Sequence, residues 1–250
     1  MTDNRVLIIG HGVVGTNLEA ELAALNPDVC DKYKGIKKHH DHHEFGFVCV
    51  DTPLIANKLD VTEVFNAIEE NDCDVYVIKS TVPVGTTDRL AQSGKRVVFS
   101  PEYYGGTQHC NNFAFDFTVL GGDSETCHMV QQLLQDVYDA RHVFHKCTAK
   151  EAEMTKFMEN AWLATKVSFC QEFWRMCNSA GIDYDTVREN FTLDPRVNPA
   201  HTFVYDDHPW YQSHCLDKDV PAIAHQFDSD FLKAVIKSND FRKSTYEKAD

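Results

Sequence analysis

Three glycines open the chemistry of this chain. Gly10-His11-Gly12-Val13-Val14-Gly15 stands between the apolar stretch Val6 to Ile9 and a helical stretch that runs to Leu25. Strand, glycine turn and helix in that order make a seat for a pyrophosphate. Gly10 forms the tight turn, Gly12 lets phosphates approach the backbone, and Gly15 permits close packing of helix on strand, while Val13 and Val14 lead the phosphate turn into the helix. Asp31 follows Gly10 by 21 residues, where the second strand should end and a carboxylate bonds the diol of a ribose. A carboxylate there would repel a 2′-phosphate, so the expected dinucleotide is NAD rather than NADP.

Two further groups of residues have types suited to chemistry. Lys32, Lys34, Lys37 and Lys38 follow Asp31, and then come His39, His40, Asp41, His42 and His43, a basic island in an acidic chain. The lysines suit a place near adenosine phosphates, and the histidines are metal-type ligands. A solvated loop after the second strand is the simpler reading, and no metal is assigned. Lys156 and Asn160 stand four apart, hence on one face of a mostly apolar helical stretch. The alternative for that pair is a solvent-facing turn.

The elements that must position these groups alternate. Phe45 to Val50, Val75 to Lys79 and Val97 to Phe99 read as strands, with a helix over Val61 to Glu70. Such units argue for a mostly parallel sheet covered by helices. The turns Asp51-Thr52-Pro53, Ser80 to Thr86 and Ser100-Pro101-Glu102 follow strand ends, where open parallel sheets bind ligands. Strands Thr118 to Gly121 and Arg141 to Phe144 flank a helix over Glu125 to Tyr138. Near residue 148 long helices take over. Thr148 and Glu151 have capping-box spacing, and apolar residues persist from Met154 to Cys177, which predicts about 30 residues of helix ending at Gly181. The expected architecture is α/β: a Rossmann-like, doubly wound, mostly parallel sheet over residues 1–147, then an α-helical domain over 148–250.

Composition narrows the class. Of 250 residues, 43% are hydrophobic and 25% charged, ordinary proportions for a water-soluble globular chain. Lysine and arginine number 24 against 38 acidic residues, a net charge of −14, which repels nucleic acid and anionic membrane surfaces. Nine cysteines without CxxC or CxxxC spacing resemble those of a reduced, intracellular chain. The start of the chain lacks the features of a signal peptide, and no apolar run approaches the roughly 20 residues of a membrane helix. A cytoplasmic protein with a small-molecule partner is expected.

Six fragments in order resemble the UDP-glucose/GDP-mannose dehydrogenase family, the nucleotide-sugar 6-dehydrogenases. They are the Gly10 to Gly15 turn, Thr52-Pro53, Lys79 to Thr86, Ser100-Pro101-Glu102, the run Glu151 to Glu172 with Lys156 and Asn160, and Cys215-Leu216-Asp217-Lys218-Asp219. The resemblance implies oxidation of a primary alcohol to a carboxylate with two NAD, through a cysteine thiohemiacetal and thioester. By that resemblance Cys215 is the nucleophile, Lys156 stabilises the oxyanion, and Asn160 helps position it. Asp219 orients a water with Thr81, and Glu102 serves thioester hydrolysis. Thr52 and Thr81 touch the cofactor, Lys218 lies near it, and Arg196 lies near the substrate.

The chain also departs from the family's pattern. The glycine-rich loop before the cysteine reads Asp206 to His214 here and holds no glycine, so the substrate pocket should be smaller or differently shaped. A second glutamate of the family, four residues past the position of Glu102, is Gly106. The family's C-terminal nucleotide-gripping domain has no counterpart before the chain ends at Asp250, which lowers the binding energy expected from the nucleotide half. The stretch Ser229 to Lys248, with Phe231, Leu232, Val235 and Ile236 as an apolar face, resembles the family's dimerisation helix and implies a homodimer. Beside the cysteine route stand two alternatives: a two-electron hydroxy-acid dehydrogenase and a non-catalytic NAD-binding subunit.

Overall fold

The structure is a computed structural model that describes residues 5–104 and 115–246. Its elements are β1 (Val6–Ile9), α1 (Val13–Glu21), a 3-10 turn (Ala23–Leu25), β2 (Asp28–Cys30), β3 (His42–Val48), β4 (Leu54–Ile55), β5 (Lys58–Leu59), α2 (Thr62–Glu70), β6 (Asp72–Ile78), α3 (Thr86–Gln92), β7 (Val97–Phe99), β8 (Phe117–Gly121), α4 (Ser124–Leu134), β9 (Val143–Cys147), α5 (Ala149–Ala180), α6 (Tyr184–Phe191), α7 (Leu216–Gln226) and α8 (Asp230–Tyr246). Among the described residues the chain groups into two compact units, one up to Lys156 and one from Phe157 onward. α5 is continuous across that division.

The first unit is built on a seven-stranded sheet of order β2-β1-β3-β6-β7-β8-β9, parallel throughout except where β8 meets β7. Its strands are apolar on both faces because helices cover both. β1 alternates accordingly. Val6 and Ile8 join Leu18, Leu22, Val130 and Leu133 on the face under α1 and α4. Leu7 and Ile9 join Val64, Ile68 and Leu90 under α2 and α3. Each such side chain, once buried, stabilises the fold by about 1.5–3 kcal/mol relative to exposure.

Two local features shape this unit. The crossover from β2 to β3 passes over β1 without a helix, on residues 31–41 alone, whereas parallel crossovers are usually helical. A two-residue hairpin joins β4 to β5 at Ala56 and Asn57, both left-handed with φ of 49° and 62°, the twist such turns need.

The second unit is helical. Ala164 of α5, Tyr211, Val220 of α7 and Val235 of α8 share one core cluster, with Leu216 and Ile236 against it. Cys170, Cys177 and Tyr184 form another. Arg242 of α8, only 6% exposed, is paired with Glu172 of α5. Because Val235 is buried and Ile236 packs beside it, the apolar face predicted for Ser229 to Lys248 is largely occupied within the chain, and Phe231 alone of the four is well exposed, at 63%. No helix among the described residues is long and apolar enough to cross a membrane.

Candidate active site

The glycine turn has the backbone that its spacing requires. Gly10 sits at φ 94°, and a Cβ there would lie 2.7 Å from the Cys49 carbonyl oxygen. A Cβ on Gly15 would lie 2.0 Å from the Gly10 carbonyl oxygen, so helix and turn touch only because both residues lack side chains. Gly12 differs: no atom stands within 4 Å of its Cβ position, and it caps α1 with no side-chain hydrogen bond to the first amides. Open space before uncapped helix amides is the cradle a pyrophosphate fills. Val13 is 75% exposed at that end, and Val14 packs against the core.

Asp31 follows β2 at the same end of the sheet. Its carboxylate accepts from the backbone amides of His11 (2.9 Å), Tyr33 (2.9 Å) and Lys34 (3.0 Å). Burial alone would raise its pKa, but the hydrogen bonds from His11, Lys34 and Tyr33 outweigh that and hold it below the usual carboxylate range. A carboxylate held ionised beside the glycine turn is the group a ribose diol needs. These residues therefore fit a dinucleotide.

The turns after β3 and β6 are stapled together. The Thr52 hydroxyl donates to the Thr81 carbonyl (2.8 Å), and both residues are buried. The turn that carries Thr81 is held from α5 by a residue that sequence reasoning missed. Glu153 is fully buried and accepts from the Gly85 amide (2.5 Å) and from the amide and hydroxyl of Thr87 (2.8 and 2.7 Å), taking the place of a cap at the start of α3. Its signal was available: Glu153 precedes Lys156 by three residues and Asn160 by seven, the spacing of one helical face.

Lys156 is 4% exposed and donates from Nζ to the Glu102 carbonyl (2.7 Å), with the Tyr103 ring 5.2 Å away. The Glu102 carboxylate accepts from the Tyr104 amide (2.7 Å). Lys156 and Glu102 are thus brought together, and the solvent-facing alternative for the lysine and asparagine pair does not hold, since Asn160 is also 4% exposed. Gly106 lies outside the described residues.

In the second unit, the Asp219 carboxylate is fully buried between two donors, the Asn160 amide (2.7 Å) and the Lys218 ammonium (2.7 Å). Cys215 stands at the N-terminal cap of α7, half-exposed, and its carbonyl accepts from the Asp219 amide (2.9 Å). Burial pushes the thiols of Cys49 and Cys73 up to about 12 and those of Cys30 and Cys127 up to about 11, so they hold their protons at neutral pH.

The segment before Cys215 is pinned to α8. Asn239, buried and missed in the sequence, accepts from the Tyr211 amide (2.8 Å) and donates to the Tyr211 carbonyl (3.1 Å). Arg196 is not gathered into the buried cluster. Its side chain is 88% exposed and its guanidinium is paired with Asp194.

The histidine island is only partly a solvated loop. His42 and His43 belong to β3, and His43 is fully buried. At the amino end of the sheet, away from the glycine turn, His43 Nε2 lies 3.2 Å and His40 Nδ1 3.6 Å from Oδ2 of Asp28.

Comparison with known proteins places this geometry. The model of the UDP-glucose/GDP-mannose dehydrogenase family's NAD binding domain matches residues 31–142, and that of the family's central domain matches residues 150–241. A UDP-glucose 6-dehydrogenase of Pseudomonas aeruginosa is 31% identical over 228 residues, covering 80% of this chain and 49% of its own. One of Bacillus subtilis is 29% identical over 216 residues, covering 78% and 48%. The chain therefore spans about half the length of these relatives. In fold it resembles a UDP-glucose dehydrogenase of the hyperthermophilic archaeon Pyrobaculum islandicum, with a TM-score of 0.77 at 22% identity over 95% of this chain and 68% of that one.

Proposed function

Since the chain belongs to the UDP-glucose/GDP-mannose dehydrogenase family, we propose that it is an NAD-dependent oxidoreductase that takes the primary alcohol of a nucleotide sugar, or of a smaller relative, to a carboxylate. The observation that carries this reading is Cys215, a half-exposed thiol at the start of α7, directly preceding a buried Asn160–Asp219–Lys218 cluster.

NAD, when bound, accepts a hydride from the carbinol carbon. The chain's own residues do the rest. Lys156 lends positive charge to the alkoxide of the first oxidation. The Cys215 sulfur then bonds to the aldehyde carbon while the carbonyl oxygen takes up a proton. Transfer of a second hydride to a second NAD, with release of the hydroxyl proton, would leave a thioester, and water then breaks its C–S bond to release the carboxylate and restore the thiol. Asp219, oriented by Asn160 and Lys218, holds that water with Thr81, and Glu102 serves the same hydrolysis. The N-terminus of α7 favours negative charge on the sulfur. Gly10, Gly12, Val13, Val14, Gly15, Asp31, Thr52, Thr81 and Lys218 bind the cofactor, and Arg196 takes part in substrate recognition on moving from Asp194.

Residues 1–147 act as the NAD-binding domain and 148–250 as the substrate and dimerisation domain of a cytoplasmic homodimer. Support for the dimer comes from α5, where Met158 (74% exposed), Trp162 (60%), Phe169 (51%) and Phe173 (42%) line one apolar stripe. The glycine-free, pinned segment Asp206 to His214 favours an alcohol smaller than a complete nucleotide sugar as the second candidate substrate. A substrate screen reading NADH, with UDP-glucose first, tests the assignment. No NADH from any sugar nucleotide or sugar alcohol would reject it.

A further inference from the structure

The helix-free crossover between β2 and β3 carries a cluster that dinucleotide chemistry does not use. Asp28 opens β2, His43 lies near the start of β3, and His40 precedes it in the loop. Parallel strands share their amino ends, so this cluster sits at the end of the sheet opposite the glycine turn and Asp31. The three residues of β2 separate the two ends by about 10 Å.

Asp28, His40 and His43 each turn one ligand-type atom inward, all within 4.8 Å of one another. The separations from Asp28 Oδ2, 3.2 Å to His43 and 3.6 Å to His40, bracket the roughly 3.3 Å between two ligands of a tetrahedral ion bound at about 2.0–2.1 Å. The loop is drawn onto the site by its backbone, because the amides of His39 (2.7 Å) and His40 (3.1 Å) also donate to Oδ2. The Val29 amide holds Oδ1 (3.0 Å).

A purely structural staple would satisfy its polar atoms, and this one does not. His40 Nδ1 is buried without a hydrogen bond, and so is Nδ1 of the fully buried His43. An imidazole nitrogen shut away from water 3.6 Å from a carboxylate oxygen, too far for a hydrogen bond, is placed as a ligand is placed. Two imidazoles and one carboxylate select a borderline transition ion over calcium or magnesium, which take oxygen ligands.

We propose that Asp28, His40 and His43 form a binding site for a divalent transition ion of the zinc class. The ion ties the crossover loop to the sheet, at a place the dehydrogenase reaction does not involve, so the proposal stands apart from the functional reading.

The test is calorimetric titration of the chelator-stripped, full 250-residue chain with Zn2+, beside His40→Ala and His39→Ala. His40 lies in a half-exposed loop, and a thermal scan of each variant confirms folding. Wild type and His39→Ala should each bind a single equivalent and rise in melting temperature with Zn2+. His40→Ala should bind that equivalent at least about tenfold more weakly. If His40→Ala does not fold, Asp28→Asn, which keeps the residue's size, is read in its place. Absence of uptake by wild type overturns the proposal. Equal uptake by wild type and His40→Ala also overturns it, because the ion would then lie on other groups such as the cysteines.

Discussion

Glu153 shows how much of the site depends on a residue that does no chemistry. Three hydrogen bonds from the Gly85 and Thr87 groups end on its carboxylate, and the turn they hold carries Thr81. Glu153→Ala leaves buried amides without partners and should cost about 2 kcal/mol of stability, measured by urea unfolding, with weaker NAD binding by titration. Burial raises the Glu153 pKa, against the lowering hydrogen bonds from Gly85 and Thr87. The folded state therefore keeps this proton to a higher pH than the unfolded state. Its contribution to stability is complete below the ordinary glutamate range and is lost as pH rises through the raised folded value. Glu153→Gln should flatten that slope in urea midpoints measured across this window, and equal slopes in both proteins would count against it. Lys156 and Asn160 were legible because two polar groups four apart stand out in a largely apolar helix, whereas Asp219 was marked only by the family resemblance of the run Cys215 to Asp219. Glu153 shares their helical face, a signal that went unread, and Asp28 and Asn239 carry none, since what marks each is its partners in the fold.

At the scale of elements, α1 and the glycine turn make opposite demands on two glycines. Gly15→Ala puts a Cβ 2.0 Å from a carbonyl oxygen and should cost about 3 kcal/mol, because backbone cannot move aside. Gly12→Ala meets open space and should change stability by less than about 0.5 kcal/mol while weakening NAD binding, since the methyl group enters the phosphate cradle. Thermal melts with and without NAD separate the two. Strong local patterns made β1, α2, β7 and the start of α5 readable: the Thr148 amide and hydroxyl both donate to the Glu151 carboxylate at 2.8 Å, the capping box its spacing announced. The crossover on residues 31–41 was not readable in full. Pairing of β3 with β1 sets its course, and pairing with β6 sets His43 beside Cys73, where the imidazole, a group with no apolar signal, is fully buried.

For the whole molecule, a net charge of −14 argues against a polyanion partner, and the apolar stripe on α5 is the surface the proposed dimer would have to use against that repulsion. Trp162→Glu places a charge in that stripe on a residue 60% exposed within its own chain. Light scattering should then show a dimer for wild type and a monomer for the variant, with the melting temperature of the monomeric unit little changed. A monomeric wild type would remove the dimer. The face of Phe231, Leu232, Val235 and Ile236 misled because amphipathic spacing shows that a helix buries one side without showing what covers it. In this chain α8 turns Val235 and Ile236 toward Ala164, Tyr211 and Val220.

The four-electron route through Cys215 is the central claim, and the ratio of NADH formed to substrate consumed tests it most directly. For a substrate found in the screen, wild type should give two NADH for each alcohol converted to carboxylate. Cys215→Ser should abolish the steady second oxidation, its hydroxyl forming an ester that water releases far more slowly than a thioester. A ratio of one in wild type, unaltered by Cys215→Ser, would contradict the account and leave a two-electron dehydrogenase in its place.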